Sequence, residues 1–257
     1  MSTQQPVQWP ADVRTLAVDV GGSGVKASVL DPMGAMMTDR VRVKTPYPCP
    51  PQLLVDTILE LTVDLPPAHR VSVGFPGLVR EGVVRHVMAM ARRVYGGPID
   101  REMAAMWHGF GIGQALTEAF DLPTVVANDA DIQGCAVARG EGFEFVLTLG
   151  TGAGTALFNQ GRLLPHLELG HAPFRKGDTI EQQIGNVARK AVGNKQWGKR
   201  VAKAIAAYDR FLFFDHIYIG GGNAKHLSPA KLPPNAELVP NSAGITGGVR
   251  IWDLMER

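Results

Sequence analysis

Cysteine is nearly absent: Cys49 and Cys135 are the only two in 257 residues. Two thiols exclude a disulfide framework and a cysteine-built metal site, and they fit a reducing compartment. Excess charge is also missing, since 26 Lys and Arg stand against 24 Asp and Glu, a formal net charge of +2. That balance gives no basic footprint for nucleic acid. No apolar run approaches the roughly 18 residues of a membrane-spanning helix, and the opening MSTQQPVQWPADVR lacks a signal-peptide core. A cytoplasmic protein is expected, with no membrane and no nucleic-acid partner. Asparagine does not occur between residues 32 and 127, an absence that bears on substrate choice below.

What is present is glycine, 30 residues of it, and a 45% hydrophobic content able to fill a sizeable core. Two stretches concentrate both: LAVDVGGSGVKASVLDPMG at 16–34 and VLTLGTGAGTALFNQG at 146–161. Alternation and β-branched content predict strands at 16–20, 25–30, 41–44, 71–74, 83–87, 124–127, 145–149, 153–158 and 216–219. Helical spacing falls at 51–63, 112–120, 131–138, 179–192 and 197–214. Gly24 and Gly154 lie 130 positions apart in matching strand-turn-strand contexts, which predicts a duplicated unit. The division expected is a tail at 1–13, an N-terminal α/β domain at 14–127 and a C-terminal α/β domain at 128–257.

A glycine turn between strands has two readings. Glycine supplies positive φ in a hairpin, or it lets backbone N–H groups form a concavity that an anion approaches closely. Two matching turns favour the second: facing hairpins holding a phosphate chain. DVGGSGVK, GFPGLV at 74–79, NDAD at 128–131, LTLGTGAGTALF at 147–158, LELGH at 167–171 and YIGGGNAK at 218–225 together resemble, in this order, the ROK family of bacterial sugar kinases, and within it the polyphosphate-using glucokinases. The resemblance implies an actin-like, ribonuclease-H-like α/β fold with a cleft between two domains, and a phosphotransferase acting on the 6-hydroxyl of glucose or a related hexose.

It also implies roles. Asp129 would be the catalytic base, with Asn128, Asp129, Glu168 and His171 on the sugar. Gly21, Gly22, Ser23, Gly24, Gly150, Thr151, Gly152 and Gly154 would cradle phosphate, with Asp19 serving phosphate and magnesium. Gly220, Gly221 and Gly222 would form a nucleotide-side loop. Local sequence alone leaves alternatives open: Asn128 and Asp129 also suit a helix N-cap, Glu168 and His171 a polar loop, Asp19 hairpin-turn chemistry, and the 220–222 glycines a plain strand-to-helix turn. Lys26 receives no role, and Glu181 reads as a surface helix residue.

Two departures from the family pattern stand out. GHAPFRKGDTIEQQ follows LELGH without a cysteine, so the family's common zinc motif is missing and zinc is not expected. HVMAMARRVYGGPID at 86–100 lacks the sugar-contacting Asn usual there, offering Arg92, Arg93 and Tyr95 instead, and Trp107 comes late. Basic residues recur between Arg189 and Lys203; they suit either a solvated helix face or a groove for polyphosphate, which carries no base to read, and they favour polyphosphate slightly over ATP as donor. A homodimer is expected by resemblance. A non-catalytic sugar or phosphate sensor is one rival. A DNA-binding regulator is another, disfavoured because about 14 residues precede the first strand and leave no room for a helix-turn-helix.

Overall fold

The structure is a computed structural model describing residues 8–240 and 243–255. Strand β1 (Thr15–Gly21) turns through Gly22 and Ser23 into β2 (Gly24–Leu30), and β3 (Val41–Val43) pairs antiparallel with β2. Helix α1 (Pro51–Thr62) starts on a proline, whose missing N–H is no loss at a helix N-terminus, and buries Leu54, Val55 and Ile58 on one face. It leads to β4 (Arg70–Phe75), parallel to β1. A hairpin of β5 (Leu78–Arg80) and β6 (Val83–His86), then α2 (Arg101–Trp107) and α3 (Ile112–Phe120), precede β7 (Thr124–Asn128), which runs parallel to β4. The sheet order is β3-β2-β1-β4-β7.

Helix α4 (Asp129–Val137) begins where β7 ends. The pattern then repeats. Strand β8 (Phe143–Leu149) turns through residues 150–152 into β9 (Ala153–Asn159), and β10 (Arg162–Leu163) pairs antiparallel with β9. A small hairpin of β11 (Pro173–Arg175) and β12 (Asp178–Thr179), then α5 (Ile180–Ile184) and α6 (Asn186–Leu212), lead to β13 (His216–Gly220), parallel to β8, and β14 (Ala236–Leu238), parallel to β13. The second order, β10-β9-β8-β13-β14, matches the first strand for strand, with the same parallel and antiparallel relations. The duplication read from the glycine turns is present in the topology.

Each sheet has its own apolar core. Leu16, Val18, Val20, Val71, Val73 and Phe75 pack with α1 and α3 in the first, and Phe145, Leu147, Ile217 and Ile219 pack with Trp197, Val201 and Tyr208 of α6 in the second. The central strands are buried along nearly their whole length, as parallel strands covered on both faces must be. A third cluster joins Ile132 and Cys135 of α4, Val146, Phe158 and Tyr218 of the second sheet, and Ile251, Trp252 and Leu254 of the last helix, α7 (Ala243–Met255).

The helix expected at 179–192 is corrected. Its first turn is a capping box, in which Thr179 accepts from the Gln182 N–H and Gln182 reaches back. The helix then stops at Gly185, and α6 restarts at Asn186, with Gly193 at φ 76° breaking it again. A positive φ is strained for any side-chain-bearing residue, so glycine sets the kink. Helices α2 and α7, the small hairpin, and strands β5, β10 and β14 lie outside the expected elements.

Candidate active site

Both glycine turns open onto one cleft of about 600 Å³. Gly21, Gly22 and Ser23 line it from the first sheet, Gly150, Thr151, Gly152 and Gly154 from the second, and Gly221 and Gly222 from the end of β13. None of the turn residues at 21–24 or 150–154 adopts a positive φ, so the hairpin explanation for these glycines fails. At Gly150 a Cβ would meet nothing within 4 Å; the absent side chain leaves the backbone bare toward the cleft. The N–H groups of Gly22, Ser23, Thr151 and Gly152 have no hydrogen-bond partner among the described residues. Thr45 Oγ1 donates to the Gly21 carbonyl at 2.5 Å, and the Tyr47 hydroxyl sits 2.7 Å from the Gly22 carbonyl. The carbonyls of the first turn are therefore engaged and its amides free, an arrangement suited to anions.

Asp129 stands at the floor of this cleft as the first residue of α4. It packs directly on β4, where a Cβ on Gly74 would lie 3.5 Å from the Asp129 Cα, an ordinary contact distance. Burial, then the neighbouring negative charge of Asp19, raise the Asp129 carboxyl to about 7. The NDAD motif caps a helix and faces the cleft at once. Asn128 is the N-cap, its Oδ1 accepting from Ala130 N–H at 2.8 Å while its Nδ2 donates to the Gly77 carbonyl at 3.1 Å, and it also lines the cleft. The cap fixes the residue that precedes Asp129, and with it the direction of the carboxylate.

Glu168 and His171 reach the cleft from a short 3₁₀ turn at Leu169–His171, where Gly170 sits so close to the Ala153 carbonyl that a Cβ would come within 2.6 Å. Glu181 joins them, contrary to its reading as a surface helix residue: it lines the cleft with Oε2 3.4 Å from His171 Nε2. The periodicity that suggested a surface helix ran across the break at Gly185, and α5 instead points Glu181 inward. The two carboxyls differ. His166 beside Glu168 holds its carboxyl below the usual range, whereas burial raises that of Glu181 against the pull of His171.

Asp19 and Gly24, expected on the phosphate side, and Gly220, expected in the nucleotide-side loop, are not among the residues that line the cleft. Asp19 acts on Asp129 through its charge and forms an ion pair with Lys26 at 2.8 Å, the partner seven residues on and directly across the hairpin. Gly24 packs against β3, where a Cβ would lie a tight 3.0 Å from the Arg42 side chain and from the Val43 carbonyl. Gly220 is buried at the end of β13 against Val239. Its neighbour Gly221 needs glycine, having φ +83° and a Cβ position within 2.6 Å of Leu149 backbone atoms.

The segment at 86–100 forms one wall of the cleft through His86, Met88, Ala89, Arg92, Tyr95 and Gly96. Arg92 staples this loop by donating to the Met88 carbonyl at 3.1 Å and to the Gly97 carbonyl. Arg93 turns away to pair with Asp100 at 2.6 Å and with Glu102. Trp107 is fully buried, its Nε1–H bonded to the Cys49 carbonyl, so it belongs to the core. Among the described residues no helix is long and apolar enough to cross a membrane.

Comparison with known proteins agrees with this geometry. The ROK family pattern matches residues 15–180. A polyphosphate glucokinase of Mycobacterium tuberculosis (strain CDC 1551 / Oshkosh) is 30% identical over 244 residues, covering 90% of this chain and 88% of its own. The crystal structure of an inorganic polyphosphate/ATP-glucomannokinase from Arthrobacter sp. strain KM superposes with a TM-score of 0.77 at 27% identity, over 95% of this chain and 99% of the other. A ROK family glucokinase from Streptomyces griseus, solved with glucose and AMPPNP, shares the fold alone, with a TM-score of 0.72 at 17% identity over 93% and 98% of the two chains. With the duplicated sheets, the paired glycine turns and these likenesses together, the chain is a member of the ROK family and has its actin-like α/β fold.

Proposed function

We propose that this protein is a sugar kinase that transfers a phosphoryl group from polyphosphate or ATP to the 6-hydroxyl of glucose or a related hexose. The observation that carries the reading is the pair of turns with unpartnered amides facing one cleft, with Asp129 at its floor. Phosphoryl transfer asks the protein chiefly for positioning and charge stabilisation, and the free N–H groups of Gly22, Ser23, Thr151 and Gly152 supply both to a phosphate chain. A hydroxyl is a poor nucleophile at neutral pH. Asp129, poised near pH 7, accepts its proton as the bond from that oxygen to phosphorus forms and the bond to the donor's bridging oxygen breaks, releasing ADP or a polyphosphate shorter by one unit. Asn128, Glu168, His171 and Glu181 hold the other hydroxyls, the carboxylates accepting and the imidazole donating or accepting.

Magnesium fits the donor set. No group of three or more His, Cys, Asp or Glu able to hold a metal occurs among the described residues, but Mg²⁺ is commonly bound by one or two carboxylates with phosphates and water completing its shell. Asp19, close enough to raise Asp129, would be that carboxylate, with Lys26 holding it in place. When bound, the ion would neutralise charge on the transferring phosphate.

For the donor, polyphosphate is favoured. The Mycobacterium relative is named for it, and a second groove of about 150 Å³ beside the α6 kink is lined by Lys195, His226 and Lys231. Burial and the charges of Arg189 and Lys225 hold His226 below its ordinary value, as expected where positive charge converges. Purified protein with magnesium should phosphorylate glucose, and the ratio of kcat/KM for long polyphosphate to that for ATP decides the donor. An ATP preference above about tenfold, 1.4 kcal/mol in transition-state binding, with polyphosphate use unchanged on neutralising Lys195, Lys199 and Arg200, would rule out the polyphosphate reading. Absence of any sugar phosphate with a panel of hexoses and both donors would rule out the kinase itself. A cytoplasmic homodimer completes the proposal; light scattering at micromolar concentration should give twice the 27.6 kDa chain mass.

A further inference from the structure

His166 is a buried titratable residue with no part in the mechanism above. Its side chain is 3% exposed, with Nδ1 3.0 Å from Asp131 Oδ1 and Nε2 3.6 Å from Glu168 Oε1. Nε2 has no closer polar partner. The residue is held from two other elements: its ring by Asp131, which lies on α4 two residues beyond Asp129, and its backbone carbonyl by Arg80 of β5, which donates to it. Burial opposes a charge on the imidazole, but the two carboxylates outweigh it and raise His166 to about 9. At neutral pH both ring nitrogens therefore carry hydrogen and face carboxylates.

We propose that His166 is a positioning residue for the acceptor sugar: anchored by Asp131 and Arg80, it fixes one oxygen of Glu168 so that the other is presented to sugar hydroxyls in the cleft. The proposal rests on the reading of Glu168 as a sugar contact. Two further imidazoles bear on Glu168, those of His171 and His86, and both line the cleft itself. Without His166 the carboxylate has only these to turn to, and it would turn into the space the sugar needs. The Asp131–His166 pair thus makes α4, which carries the catalytic base, also the support for the sugar-reading carboxylate.

Two variants separate positioning from mere packing. The Gln side chain extends an N–H to about the place of Nε2, and the Asn side chain to about that of Nδ1. With glucose as acceptor, H166N should raise KM about tenfold, the size of a lost close contact between opposite charges in a buried setting, with kcat within about threefold. H166Q should stay within about threefold of wild type in both. In an E168Q background H166N should add nothing further. Equal KM changes for H166N and H166Q would overturn the proposal. Ligand-free protein provides a test that needs no turnover: ¹⁵N NMR of wild type at pH 7 should show His166 protonated on both nitrogens, and ¹³C-carboxyl NMR should show the Glu168 midpoint rising in both variants, which lose the ring's charge, but further in H166N, which also loses the N–H toward Glu168. A neutral His166 ring, or an unmoved Glu168, would also overturn it. Wild-type protein inert toward glucose with both donors would count against the kinase reading, while the NMR still decides the role of His166.

Discussion

At the scale of single residues, the cleft is governed by carboxyls whose surroundings push them apart. Asp129 is raised to about 7 by burial first and by Asp19 second. A base works only when ionised, so kcat/KM should climb as pH rises through about 7. Asp19→Asn removes a like charge and should move that limb to lower pH while cutting turnover through the lost phosphate-side carboxylate; a limb that stays in place would separate Asp19 from Asp129. Stability runs the other way. A carboxyl raised above its unfolded value favours the folded state most below the unfolded value, and that contribution is lost as pH rises through the folded one. Asp129→Asn should therefore gain stability over wild type between about pH 5 and 8 while losing nearly all turnover, as thermal unfolding alongside a kinase assay would show. Asp129 and Asn128 were legible because strand, cap and helix adjoin in sequence. Lys26, Glu181 and His166 were not, because what defines each is a partner across a hairpin, on a separate turn ten residues earlier or 35 positions away.

At the scale of elements, the glycine turns show why motif and geometry must be read together. Sequence located both turns and set two explanations against each other; only backbone angles could decide, and no residue of either turn needs positive φ. The positions differ in what they tolerate. A Cβ at Gly154 would lie 2.6 Å from Thr148 Oγ1 and 2.9 Å from the Ala130 Cβ on α4, whereas one at Gly150 meets nothing within 4 Å. Gly154→Ala should cost about 1–3 kcal/mol by overpacking. Gly150→Ala should leave unfolding within about 0.5 kcal/mol of wild type yet raise KM for the phosphoryl donor severalfold, because the methyl occupies the approach to the bare amides. Denaturant titration and donor kinetics on the pair check both; a Gly150→Ala protein with wild-type donor KM would remove this turn from the phosphate site. The α5–α6 break was illegible for a related reason. Apolar spacing persists on both sides of Gly185 and Gly193, and a helix pattern with a tolerated glycine looks the same as one with a kink.

At the scale of the whole molecule, the two sheets repeat one topology, and the helices α4 and α7 share the apolar cluster that joins them. Helix α7 was missed in the sequence, where its two central glycines weaken the helical signal, yet those glycines let it lie close. A Cβ at Gly247 would fall 1.7 Å from the Ile132 carbonyl of α4, and one at Gly248 would meet Ser72 Oγ at 2.3 Å and the Ala17 Cβ at 3.1 Å on the first sheet. Arg70, 5.0 and 5.1 Å from the rings of Trp9 and Trp252, which themselves meet edge to face, secures the same helix to β4. Adjacent positions on one helix therefore press on different things. Gly248→Ala strains contacts with β1 and β4 and should destabilise by about 1–3 kcal/mol with kcat within about twofold of wild type at temperatures where it is folded. Gly247→Ala must move α4 or α7 outright because it strikes backbone, and α4 begins at Asp129. Its kcat should fall at least about tenfold even well below its unfolding midpoint, since a misplacement of about 1 Å at a reacting group can cost that much or more. Matching kcat in the two variants, measured at equal fractions folded, would show that α7 supports the fold without setting the position of the base.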